Sequence, residues 1–253
     1  MTAFVMPKMV RTAPYTAPRK GGLFIDVLTV NQGYVTAGCV GSGSYERLKF
    51  QVAHGEQAYN YDLDPKANPM RVPINMGNGS YVFRIMERIE GHTYAQVSRV
   101  DKVVRLANAY VPYTIPTVYC NYSTSGMCAL MAKALCKGCA TELDAVNAIS
   151  KWVAKNVTYD YVKASKLSGG TGYVPSPDRT LSERKGVCFD YASLTAAMLR
   201  IVGIPCKVVT GYIDGNLYHA WVMAYANGRW RRRDTTMMAE GKTCKTYTNR
   251  FIY

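Results

Sequence analysis

The dipeptide Asn227-Gly228 separates two strand-like runs, and no other short stretch fixes so much of this chain. Before it stands Leu217-Tyr-His-Ala-Trp-Val-Met-Ala-Tyr-Ala226, and after it Arg229-Trp-Arg-Arg-Arg-Asp-Thr-Thr236. Asn-Gly between apolar or aromatic runs is the sequence of a two-residue type I′ hairpin. Such a turn sets the register. Ala226 faces Arg229, Tyr225 faces Trp230, Met223 faces Arg232, Trp221 faces Asp234 and His219 faces Thr236. Residues two apart share a face, so His219 and Asp234 come within side-chain reach, one diagonal step apart. A carboxylate on one ring nitrogen fixes the tautomer and stabilises the imidazolium, and the other nitrogen is left to accept a proton. The bland alternative is a surface hairpin on which a His and an Asp are neighbours by accident.

A base implies something to deprotonate. The other two histidines, His54 and His92, sit in turn-like Ala-His-Gly and Gly-His-Thr contexts. The candidate nucleophile is Cys188, in Gly186-Val-Cys-Phe-Asp-Tyr-Ala192. From Val187 the apolar positions Tyr191, Leu194, Met198 and Val202 recur at helical spacing, with a small face of Ala192, Thr195 and Ala196, until Gly203 and Pro205 stop the helix. Cys188 therefore falls in the first turn, where free N–H groups and the positive end of the dipole favour a thiolate. A free cysteine is more often an inert buried hydrophobe. What lifts Cys188 above that background is the His219–Asp234 pair, reached independently by register.

The order Gly-x-Cys-x-x-x-Ala-x-Leu-x-x-x-Leu-Arg-x-x-Gly-Ile-Pro-Cys-x-x-Val-x-Gly-Tyr, then His-Ala-Trp, then Gly-x-Trp-x-x-x-Asp-x-Thr, closely resembles the transglutaminase-like superfamily over roughly residues 141–236. The resemblance implies a papain-like α+β core with Cys188 as nucleophile, His219 as base and Asp234 as third member. The family's Asp-Pro-Thr is here Asp234-Thr235-Thr236, which keeps the carboxylate. No signature of a calcium-regulated animal enzyme is present. The superfamily holds cross-linking acyltransferases, peptidases, peptide-glycan amidases and members without catalysis.

The remaining chain divides by pattern. Residues 1–21, with Pro7, Pro14 and Pro18 among basic residues, read as a flexible arm without a signal-peptide core. Residues 22–110 carry strand-like runs at 23–30, 34–40, 45–53, 57–63, 80–87 and 93–100 between Gly, Asn and Pro turns, as in an immunoglobulin-like β-sandwich serving binding or positioning. Residues 111–125 read as a linker, and 126–253 as the catalytic domain. There, helices are expected over 126–137 and 141–156, the second with a capping box at Thr141-Glu-Leu-Asp144. The stretch from 159 to 179, rich in Gly and Pro, reads as a long loop bordering an acyl-binding cleft. It offers Tyr173 as a substrate contact, and Trp221 is carried as a second one.

Composition narrows the function classes. With 48% hydrophobic and 19% charged residues the chain is globular in type, and no stretch has the length of a transmembrane helix. Cys136-Lys-Gly-Cys139 is a lone CxxC, too weak for a metal or redox site, and no metal or cofactor is called. The net charge is +14, with 18 basic against 9 acidic residues from 116 onward. That suits an acidic protein or an anionic wall polymer, and no DNA- or RNA-recognition motif accompanies it. Without a leader in the sequence the location is cytoplasmic, or extracellular or in the cell envelope if a leader has been removed. The expected chemistry is a thiol-dependent amide hydrolase, passing through an acyl-thioester on Cys188. The alternatives are glutamine-to-amine acyl transfer and a non-catalytic protein that kept the fold.

Overall fold

The computed structural model describes residues 22–41, 45, 47–168 and 172–253; the arm expected over 1–21 lies outside them. The described chain divides into two compact units between Pro112 and Tyr113.

The first unit is all β. Its strands are β1 (Leu23–Asp26), β2 (Tyr34–Cys39), β3 (Leu48–His54), β4 (Gln57–Leu63), β5 (Met70–Pro73), β6 (Gly79–Glu90) and β7 (Thr93–Val104). They form two antiparallel sheets, ordered β1-β2-β5 and β4-β3-β6-β7. Alternation does the work in β6. Tyr81, Phe83 and Ile85 are buried while Val82, Arg84 and Met86 stay half-buried, and Phe83 stacks with both Phe50 and Tyr81. Strand β5 has no counterpart among the expected strands. It is four residues long, lies at a sheet edge and is flanked by Pro69 and Pro73, and Pro is tolerated in a sheet only at such places.

The second unit opens with α1 (Met127–Cys136) and α2 (Glu142–Asn156), followed by β8 (Thr158–Tyr159), α3 (Tyr161–Leu167), α4 (Pro177–Glu183) and β9 (Lys185–Gly186). Then come α5 (Cys188–Ile201), β10 (Cys206–Ile213), β11 (Leu217–Ala226), β12 (Arg229–Arg233), α6 (Thr235–Ala239) and β13 (Tyr247–Ile252). Helix α2 starts at a true capping box, the Thr141 hydroxyl accepting from the Asp144 N–H while the Asp144 carboxylate accepts from the Thr141 N–H. It buries Val146, Ile149 and Val153.

Helix α5 is the axis of this unit. Asp190 through Arg200 are buried without a break, so the helix is enclosed on every side. Ala192, Ser193, Ala196 and Ala197 are small enough for α1, α2, α4 and the strands β10 and β11 to close around it. The sheet order is β12-β11-β10-β13, and Val208, Ala220, Val222 and Ala224 turn one face into the same core as α5. The opposite face carries a smaller cluster of Val209, Ile213 and Trp221.

Two stretches read as irregular are structured. Residues 113–125, expected as a linker, pack into the second unit: Thr117 and Cys120 exchange backbone hydrogen bonds, and Tyr113, Cys120 and Tyr122 are buried. The Ser193 hydroxyl donates to the Tyr119 carbonyl at 2.7 Å, which ties the segment to α5. The expected long loop contains α3 and the start of α4. Pro177 occupies the first turn of α4 behind the Ser176 cap, so a residue read as a loop signal here starts a helix.

The far end of α5 is fixed by a buried cation that donates to main-chain oxygens and a hydroxyl. Arg200 donates to the carbonyls of Cys206 (2.9 Å), Ile115 (2.8 Å) and Tyr253 (3.1 Å) and to the Thr117 hydroxyl (3.2 Å). An Arg200→Met substitution takes these hydrogen bonds away, two of them from the buried Cys206 carbonyl and Thr117 hydroxyl, and is expected to lower unfolding free energy by about 3 kcal/mol. Urea denaturation of the two proteins measures it.

Candidate active site

Three local devices bring Cys188 to its place. The parallel pair β8–β9 sets Thr158 beside Lys185 and Tyr159 beside Gly186, joining the end of α2 to the segment that enters α5. Val187 is extended and serves as the N-cap, so the chain turns into the helix at Cys188 itself. Gly186 has no room for a side chain: a Cβ there would lie 2.6 Å from the Asp190 Cβ. The first glycine of the Gly-x-Cys sequence is thus a packing requirement.

The hairpin register is the one the turn dictates, with Ala226 opposite Arg229, Tyr225 opposite Trp230 and Met223 opposite Arg232. The ladder ends one pair short of the expectation. Val222 and Arg233 close it, and Asp234 leaves the strand to cap α6, accepting from the Met237 N–H at 3.0 Å. Trp221 and His219 therefore have no partners across the hairpin, yet the His219–Asp234 contact forms. His219 Nε2 lies 2.9 Å from Asp234 Oδ2, with both side chains less than a tenth exposed. Cys188 lies close enough to His219 to act on its charge.

The electrostatics favour a charged ring. Burial by itself opposes charge on His219, but Asp234 and Cys188 outweigh it and the pKa is pushed up to about 9. Asp234 Oδ2 also accepts from the Tyr247 hydroxyl at 2.9 Å. Burial, and then the Asp234 charge, push the Tyr247 phenol up, which keeps it a donor. Arg232 stacks on the Tyr247 ring, 3.7 Å from its centroid. Next to Cys188 stands Tyr159, whose phenol is pushed up to about 12 by burial and then by the neighbouring thiol.

The two expected substrate contacts are placed differently from that reading. Trp221 is 1% exposed, with its ring 6.4 Å from His219 and edge-on to Tyr247 at 5.0 Å; it packs beside the imidazole and presents no surface to a substrate. The reason is the strand parity that puts both residues on one face, with Val209 opposite Trp221 closing over it. Tyr173 is half-buried, and its hydroxyl donates to Asp190 on α5.

The sequence reading missed Tyr247 and Asp190. Tyr247 lies on β13, far along the chain and outside any motif, so only tertiary structure brings it to Asp234. Asp190 did carry a signal, an acidic residue at the third position of a helix, where it accepts from the Val187 N–H at 2.8 Å.

The other cysteines differ in setting. Cys120, Cys128 and Cys206 are fully buried and burial pushes their thiols up. Burial, then Cys139, pushes Cys136 up to about 12. Among the described residues no disulfide forms, and no three His, Cys, Asp or Glu side chains cluster as metal ligands.

Residues 129–235 match the model of the Transglutaminase-like superfamily. A protein of Methanocaldococcus jannaschii is 46% identical over 54 residues, covering 20% of this chain and 15% of its own. The human kyphoscoliosis peptidase is 32% identical over 107 residues, covering 38% of this chain and 16% of its own. This chain thus spans under a fifth of the length of these two relatives. A solved structure from Cytophaga hutchinsonii aligns over 81% of this chain and 79% of its own at 19% identity, with a TM-score of 0.43. Residues 129–235 are thus the part of this chain that is similar to the transglutaminase-like superfamily.

Proposed function

We propose that this protein is a thiol-dependent amide hydrolase. The observation that supports the reading most directly is the buried pair His219–Asp234, with Nε2 2.9 Å from the carboxylate, together with Cys188 at the start of α5, which acts on the charge of His219. The Cys188 thiolate attacks an amide carbonyl and forms the tetrahedral intermediate. The His219 imidazolium gives its proton to the leaving amine, and the acyl group remains as a thioester on Cys188. Water, deprotonated by the now neutral His219, attacks the thioester and releases the acid; the proton returns to the dyad. Asp234 holds the ring throughout, and the Cys188 N–H is one donor to the oxyanion. The name of the human relative, a peptidase 32% identical to this chain over 107 residues, supports a peptide substrate. The +14 charge supports an acidic protein or an anionic wall polymer as the partner. The unit before Pro112, with its two antiparallel sheets, is read as an immunoglobulin-like binding or positioning domain over 22–110, and 126–253 as the catalytic domain with 111–125 between them.

Mass spectrometry of a mixed protein substrate incubated with excess labelled primary amine tests the chemistry. New peptide termini that vanish with Cys188→Ala are expected. Label on glutamine side chains would instead assign acyl transfer, and neither signal would leave a binding protein.

Asp234→Asn is expected to preserve the fold and lower kcat by on the order of a thousandfold, through loss of the ring's orientation. Near-normal turnover in that variant would remove Asp234 from the mechanism.

The His219 pKa, about 9 when folded against about 6.5 in an unfolded chain, fixes a pH window. The charged ring's contribution to stability is complete below about 6.5 and lost as pH rises through about 9. Denaturation of the wild type and of His219→Gln across this range should show the gap between them narrowing, and kcat should fall on the same alkaline limb.

A further inference from the structure

Asp190 is a buried carboxylate that the mechanism above does not use. It is 1% exposed and sits two residues after Cys188. Three donors meet it: the Val187 N–H at 2.8 Å, Lys163 Nζ at 2.7 Å and the Tyr173 hydroxyl at 2.5 Å. These come from the N-cap of α5, from α3 and from the segment that leads into α4. Lys163 also lies 4.6 Å from the Tyr173 ring centroid, and Tyr173 stands edge-on to Phe189 at 6.5 Å. The residues on both sides of Cys188, Val187 and Phe189, are therefore held by one cluster.

Capping alone does not account for this. An acidic residue at the third helical position satisfies the N-cap N–H equally well at the surface, with water on its other oxygen. Here the carboxylate is desolvated, which is costly unless charge and hydrogen bonds are both supplied, and Lys163 and Tyr173 supply them. Burial and then Asp190 push the Tyr173 phenol up, so it remains a donor. The close approach of Gly186 to the Asp190 side chain locks the carboxylate against the backbone that precedes the thiol.

We propose that Asp190, with Lys163 and Tyr173, is a positioning residue that fixes the first turn of α5 so that the Cys188 thiol meets His219. The inference rests on Cys188 being the nucleophile. It turns Tyr173 from a substrate contact into a part of the frame. A thiol displaced by a fraction of an ångström keeps its neighbours but loses alignment, and misplacement of about 1 Å costs roughly a hundredfold in rate.

The test is the rate of Cys188 alkylation by iodoacetamide, read peptide by peptide by mass spectrometry on folded protein; it needs no substrate. Asp190→Asn, with circular dichroism matching the wild type, is expected to slow alkylation by roughly tenfold, and a change under twofold overturns the proposal. Tyr173→Phe keeps the ring and removes only the hydroxyl; should Asp190→Asn not fold, this variant decides. A drop of about threefold is expected there, and an unchanged rate overturns the proposal. With any amide that the wild type cleaves, kcat should fall in both variants while KM stays within about twofold; a raised KM at constant kcat would make these residues substrate contacts and overturn the proposal. If the wild type cleaves none, the hydrolase reading fails alone, because alkylation still decides the positioning.

Discussion

The second unit depends on one carboxylate placed where a strand becomes a helix. Asp234 ends β12, caps α6 through its Oδ1, and through its Oδ2 holds both His219 and Tyr247. A carboxylate 7% exposed would be strongly unfavourable without donors. The three donors come from an imidazole, a phenol and a backbone N–H on three different elements. Satisfying the charge therefore means bringing β11, β13 and α6 into one arrangement, and that arrangement is the candidate site. Its polar network and its local topology are set by the same bonds.

Helix α5 shows a related economy at both ends. A helix enclosed on all sides can slide or rotate in a uniformly apolar core at little energetic difference between neighbouring registers. Two polar fixtures remove that freedom. At the carboxyl end Arg200 collects carbonyls from three separated segments, and at the amino end Asp190 binds the backbone one residue before the thiol. Neither can shift by one residue without stranding a buried charge. A catalytic thiol at the tip of a helix needs such a stop, because its reach to a base is measured in tenths of an ångström.

How much of this was legible follows from the range of each interaction. The hairpin register and the capping box of α2 are local, decided by residues a few positions apart, and both formed as the sequence dictates. The His219–Asp234 contact was legible for a reason that proved incomplete: the turn brings the residues near each other, but the bond closes because Asp234 leaves the ladder to cap a helix. Strand β5 and helix α4 were obscured by prolines that mark an edge strand and a first helical turn as well as loops. Residues 113–125 have no periodicity, yet Cys120 and Tyr122 find a place beside α5. Trp221 illustrates the limit of motif reading. Adjacency to His219 in sequence and on the strand face says that the ring is near the site, and only packing says that it is closed off from solvent.

The field around the thiol differs in sign from that of the molecule. The chain as a whole is strongly basic, yet the groups that favour charge on His219 are Asp234 and Cys188. Asp234 binds it directly. Glu240, at the far end of the short helix that Asp234 caps, is held by Lys242 at 2.8 Å and by the Tyr161 hydroxyl at 3.0 Å, and it interacts electrostatically with the ring. Hydrogen bonds from Lys242 lead the causes that keep Glu240 below its usual value, so this second negative charge persists in neutral solution. Both charges favour the imidazolium. The positive net charge and the carboxylates beside the ring are compatible because screening confines the first to the surface, while the second act on His219 over a few ångströms.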